Sequence, residues 1–90
     1  MTTTERLEAG RELDELVAVE VFGFVVREYK YSTTGDGMLA VLERMGAQGW
    51  DVEVVADDDG WIVKYAGEHA VFAPTLPHAV CLAALEAVRA

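Results

Sequence analysis

Ninety residues make one domain with room for one thin core. Sixteen acidic against seven basic residues leave a net charge of -9, which excludes generic binding to a nucleic-acid backbone, because that needs clustered Lys and Arg. The same charge permits a basic protein partner, or a surface that resembles DNA. Apolar residues make up 52%, above the usual range for a soluble domain, and self-association into a homo-oligomer is the simplest way to hide the excess. One cysteine, Cys81, excludes an intrachain disulfide. The polar, charged first ten residues do not read as a signal peptide, and no apolar run approaches the ~20 residues of a membrane span. The expected location is the cytoplasm.

No linker or internal repeat divides residues 1–90, which read as a single domain. The first helix is expected over residues 4–22. Thr2 and Glu5 form a capping box at its start, Ala9, Leu13, Leu16 and Val17 form its apolar face, and Gly23 stops it. Glu20 falls on the apolar stripe and is expected to hold its carboxylate in solvent from a fraying last turn.

Residues 24–31 are rich in β-branched and aromatic side chains and read as a strand or extended arm. A turn follows, with Ser32 as the expected N-cap of a second helix over residues 36–48. Met38, Val41, Leu42 and Met45 form its apolar face. Alternation over residues 50–56, with Trp50, Val52 and Val54 on one side and Asp51 and Glu53 on the other, predicts a half-buried strand. Asp57-Asp58-Asp59-Gly60 reads as the turn to a returning strand over 61–65, and residues 68–72 read as a third strand. Trp50 and Trp61 are expected as cross-strand neighbours. Thr75 caps a last helix over 76–89, with Pro77 tolerated in its first turn. That helix is apolar nearly all round, so it is expected to be buried on more than one side. The order α-(β)-α-β-β-β-α is that of an α+β fold in which helices layer on a small antiparallel β-meander.

Four segments, in this order, carry a resemblance. They are Ala9-Gly10-Arg11-Glu12-Leu13-Asp14 with Leu16-Val17-Ala18, then Tyr31-Ser32-Thr33, then Gly49-Trp50, then the small-residue helix Ala79-Val80-Cys81-Leu82-Ala83-Ala84-Leu85. Together they resemble the phage ABA-sandwich domain proteins over most of the chain. The resemblance implies a phage or prophage origin and a layered α/β/α sandwich with three helices. It brings no catalytic residues. The segment between Gly23 and Tyr31 departs from the family pattern in being more strand-like.

Catalytic chemistry finds little to work with. Ser32, the one serine, sits in no nucleophile elbow. Cys81 lies among alanines and leucines, where a thiol is inert. His78 and Cys81 share a helix face at i, i+3, but two ligands do not make a metal site. Asp57-Asp58-Asp59 lacks the alternating ligands and distal Glu of a calcium loop and reads as a solvated turn. No cofactor and no metal are expected, and the chain reads as non-enzymatic.

Cationic, aromatic and hydroxyl groups interleave in one stretch: Arg27, Tyr29, Lys30, Tyr31, Ser32, Thr33, Thr34 and Gly35. It runs into a helix N-terminus, where free N–H groups and the dipole favour an anion. The ordinary reading is a strand followed by a helix cap. The functional reading is a phosphate contact, with Arg27 supplying charge and Tyr29, Tyr31, Trp50 or Trp61 stacking on a base. Two functions follow as expectations. The first is a homo-oligomer that sequesters a small anionic, nucleotide-type host immune signal. The alternative is an acidic protein that binds and blocks a host factor.

Overall fold

The computed structural model describes residues 7–23, 30–67 and 69–89. Helix α1 (Arg11–Val17) runs on into a wider π-helical turn (Ala18–Phe22), helix α2 spans Gly35–Ala47, strands β1 (Val52–Asp57), β2 (Gly60–Tyr65) and β3 (His69–Ala73) follow, and helix α3 (Leu76–Arg89) comes last in this order. The strands form an antiparallel meander in the order β1-β2-β3. This is the α+β layered sandwich with three helices and a small meander that the sequence implies.

The core is built around α3. Ala79 through Leu85 are all buried, which a helix achieves only when neighbours surround it. Strands β2 and β3 supply Val63, Tyr65, Val71 and Ala73 to one cluster with α3. Helices α1 and α2 supply Leu13, Val17, Val41 and Met45. Thr75 caps α3 as expected, its Oγ1 accepting from the His78 N–H at 3.4 Å.

Helix α1 begins later than its pattern suggests. Residues 7–10 are not helical, and Ala9, assigned to the apolar face, is exposed in the preceding turn. The reason is tertiary. Gly10 donates its N–H to Ser32 Oγ at 2.8 Å, so that N–H cannot serve a helical bond, while the Gly10 carbonyl opens the helix by accepting from the Asp14 N–H at 2.9 Å. Thr2 and Glu5, the expected capping box, lie outside the described residues. Gly23 closes the π-turn in the left-handed conformation, its N–H reaching back to the Ala18 carbonyl.

Three further expectations are corrected. Thr34, and not Ser32, caps α2: its Oγ1 accepts from the Gly37 N–H at 3.0 Å and donates to the Lys30 carbonyl at 2.7 Å. Of the expected strand over 24–31, Lys30 is irregular and Tyr31 belongs to a turn, while residues 24–29 lie outside the described residues. Glu20 does not stand free in solvent. Arg89 Nε and Nη2 donate to its two oxygens at 2.8 and 2.7 Å, tying the π-turn to the end of α3.

Candidate interaction face and the fate of the predicted site

The interleaved stretch is spent largely on the fold. Arg27 and Tyr29 lie outside the described residues. The Tyr31 ring is buried and stacks on Phe22 with ring centroids 5.0 Å apart. Arg44, from α2, lies over the Phe22 ring at 5.9 Å and donates to the Val21 carbonyl at 3.3 Å. Ser32 is fully buried. Its N–H and its hydroxyl both donate to Asp14 Oδ1, at 2.7 and 2.6 Å. The Thr34 hydroxyl is committed to the cap. Lys30, Thr33 and Gly35 remain exposed at the start of α2.

Asp14 is the residue that sequence reasoning passed over. It is buried, and it receives Ser32 on one oxygen while Gly10 packs against the same hydroxyl. The signal was present: Gly10 to Asp14 and Tyr31-Ser32-Thr33 are two of the four motif segments, and the fold brings them into contact. Gly37 completes this junction. A Cβ there would sit 2.3 Å from the Lys30 carbonyl oxygen and 2.6 Å from the Tyr31 Cα, so α2 can approach the turn only through a glycine.

Trp50 and Trp61 are not cross-strand neighbours. Trp61 pairs with Ala56 and Ala73 near the Asp58-Asp59 turn. Trp50 precedes β1 at the other end of the hairpin, edge-on to Tyr65 at 5.8 Å. The Val52↔Tyr65 register puts roughly four residues, about 13 Å of strand, between the two indoles. They cannot sandwich one base. Tyr65 is a hub of its own: His69 stacks on it at 5.1 Å, and its hydroxyl donates to Glu86 at 2.7 Å.

Metal and thiol chemistry fare no better. His78 Nε2 donates to the Leu7 carbonyl at 2.6 Å, tying the segment before α1 to α3. Cys81 is buried, and burial, helped by the nearby Asp14 carboxylate, pushes its thiol well above the usual range. Among the described residues no group of three or more His, Cys, Asp or Glu is arranged to hold a metal ion. An open hollow beside the start of α1 is lined by Leu7, Glu8, Ala9, Gly10, Arg11 and Glu12. Its charges are mixed in sign.

The sheet presents a different surface. Side chains alternate along each strand, so the register sorts them into two faces. Val63, Tyr65, Val71 and Ala73 point inward and are buried. On the outer face Val55, Ile62 and Phe72 lie in one row across the three strands. Val55 and Ile62 are half-buried and Phe72 is 44% exposed. Glu53 and Lys64 form the adjacent row, and Asp57, Asp58 and Asp59 rim the hairpin end. The alternation expected for β1 holds only in part. Val54 shares the inner face with Val63, yet is 39% exposed, because α3 covers β2 and β3 while β1 extends beyond it.

Among the described residues no helix is long and apolar enough to cross a membrane. No curated protein and no solved structure matches the chain. A family model does: the Phage ABA sandwich domain matches residues 15–85, starting in α1 just after Asp14 and ending in α3. That span takes in the Tyr31-Ser32-Thr33 turn, the whole meander and the buried helix, and this chain belongs to the Phage ABA sandwich domain family.

Proposed function

We propose that this chain is a non-enzymatic phage accessory protein that docks a host protein through the outer face of its sheet. One observation carries the reading. Val55, Ile62 and Phe72 form an apolar row across all three strands, with Phe72 44% exposed and no described helix over it. A partly exposed apolar row rimmed by charge is what a protein-binding patch needs. Glu53, Asp57, Asp58 and Asp59 on the rim select a partner with basic residues around an apolar centre.

The small-anion reading has less to rest on. Of its residues, the Ser32 and Thr34 hydroxyls and the Tyr31 ring serve the fold, and Trp50 and Trp61 stand apart. It keeps Lys30 and Thr33, exposed at the start of α2, as its support.

The test is affinity capture from bacterial lysate with the wild-type chain and with Ile62→Lys. A protein held by the wild type should be lost from Ile62→Lys, and its retention should fall as salt rises. Equal capture by both chains would overturn the reading. A thermal-shift screen with cyclic dinucleotides and ADP-ribose tests the other reading, since a ligand that binds only the folded state raises its apparent stability.

A further inference from the structure

The two edges of the sheet differ in character. Strand β1 carries Glu53 and Asp57 and lies between Asp51 and Asp58-Asp59, so a second copy approaching that edge meets like charge. Charged edges of this kind protect a sheet from pairing with itself. Strand β3 reads His-Ala-Val-Phe-Ala and carries no carboxylate, lysine or arginine. Among the described residues it pairs only with β2.

The hairpin turn sets which groups face that edge. A two-residue loop, Asp58-Asp59, makes Asp57 and Gly60 a hydrogen-bonded pair. Pairing then alternates, so Ile62 and Lys64 bond toward β1, and Trp61, Val63 and Tyr65 bond toward β3. Their partners Ala73, Val71 and His69 face β2. The main-chain N–H and C=O groups of Ala70 and Phe72 therefore point outward.

We propose that β3 pairs antiparallel with β3 of a second copy about a two-fold axis at Val71, joining two meanders into one six-stranded sheet. Ala70 lies opposite Phe72 of the second copy, and Phe72 opposite Ala70 of the second copy. Each pair exchanges two main-chain hydrogen bonds. The side chains fit this register, because the large exposed Phe72 ring lies over the small Ala70 of the other copy on the outer face. The apolar rows of the two copies then join into one surface. The pairing uses the main-chain edge of β3, shares only Phe72 with the docking row, and is tested separately from the docking reading.

Electrostatics separates the two. Each copy carries a net charge of -9, so the copies repel, and salt should strengthen their association while it weakens capture of a basic partner. A five-residue strand buries less than a standard interface, so a dissociation constant on the order of micromolar is expected.

Sedimentation equilibrium of the full chain, from low micromolar to near millimolar at low and high salt, tests the proposal. The wild type should dimerise, more tightly at high salt. Ala70→Pro removes an outward N–H while leaving the β2–β3 ladder intact, and Phe72→Lys places like charges at the axis. Each should weaken the dimer roughly tenfold or more, the net worth of a lost hydrogen bond or above. Ile62→Lys should leave the dimer unchanged. If Ala70→Pro fails to fold, Phe72→Lys and amide exchange decide: the Ala70 and Phe72 amides should be protected in concentrated wild-type protein and lose protection on dilution. A wild type that stays monomeric near millimolar concentration at high salt would overturn the proposal. So would a dimer that survives both edge substitutions, or amide protection that does not depend on concentration.

Discussion

Asp14 and Ser32, eighteen residues apart in the chain, meet at 2.6 Å in the interior, where one carboxylate oxygen accepts both the hydroxyl and the main-chain N–H of the serine. The pair ties the first turn of α1 to the turn before α2. Ser32 Oγ also accepts the Gly10 N–H, so three main-chain or side-chain donors end on two buried oxygens. In a fully satisfied buried network, losing either partner strands the other.

Ser32→Ala should therefore destabilise the fold by about 1.5–3 kcal/mol in urea unfolding, since it leaves the Gly10 N–H without its acceptor and the Asp14 carboxylate with one donor fewer. Asp14→Ala should cost a comparable amount. The double substitution should cost less than the sum by about 1 kcal/mol or more, the coupling expected of residues in one network. Additive losses would mean that the two side chains act separately.

Gly37→Ala should be the most damaging glycine substitution in α2. The new Cβ would fall 2.3 Å from the Lys30 carbonyl oxygen, a main-chain atom that cannot swing away, and a loss of roughly 1–3 kcal/mol is expected. Gly46→Ala, where a Cβ meets nothing, serves as the control and should stabilise the helix slightly. Thermal unfolding of the two variants should move in opposite directions.

Thr34→Ala should cost about 1 kcal/mol by removing the cap from α2, and Thr34→Ser, which keeps a hydroxyl to accept from Gly37 and donate to Lys30, should restore most of it. A silent Thr34→Ala would mean that neither of its hydrogen bonds supports the helix start.

The Glu20–Arg89 pair predicts an acid-sensitive contribution. The hydrogen bond and charge of Arg89 hold the Glu20 carboxyl below its ordinary value of 4.5, so its stabilisation is present above that value and is lost as pH falls through the lowered one. Both side chains are partly exposed, which limits the effect to at most about 1 kcal/mol at low salt. Glu20→Gln should lower stability at neutral pH and leave it nearly unchanged in strong acid. An equal loss at both pH values would point to packing instead of charge.

Cys81 should react with a thiol reagent only as fast as the protein opens. While the thiol is enclosed, burial raises it well above the usual range and keeps it protonated near neutral pH, and only opening gives the reagent both access and thiolate. Labelling that accelerates in step with urea-induced unfolding is the expected result. Fast labelling of the native protein would show that α3 is not enclosed.

Local signals in the sequence determined the parts of this protein whose causes are local. The last helix lies where its apolar run, Thr75 and Pro77 put it, because a cap and a composition act within one turn. The Asp58-Asp59 turn and the left-handed stop at Gly23 are short-range in the same way. Tertiary structure decided the rest. Ser32 and Thr34 are both good caps, and the choice fell to Thr34 because Asp14 claims Ser32 from across the chain. Tyr31 reads as an available ring, but Phe22 stacks on it in the buried core. Alternation along β1 identified a two-faced strand, yet alternation is blind to what covers each face. Only the placement of α3 over the inner face of β2 and β3 leaves Val54 half in water and, among the described residues, no helix over the row of Val55, Ile62 and Phe72. Which surface is left for a partner depends on where helices distant in sequence come to rest, and no window of neighbouring residues contains that information.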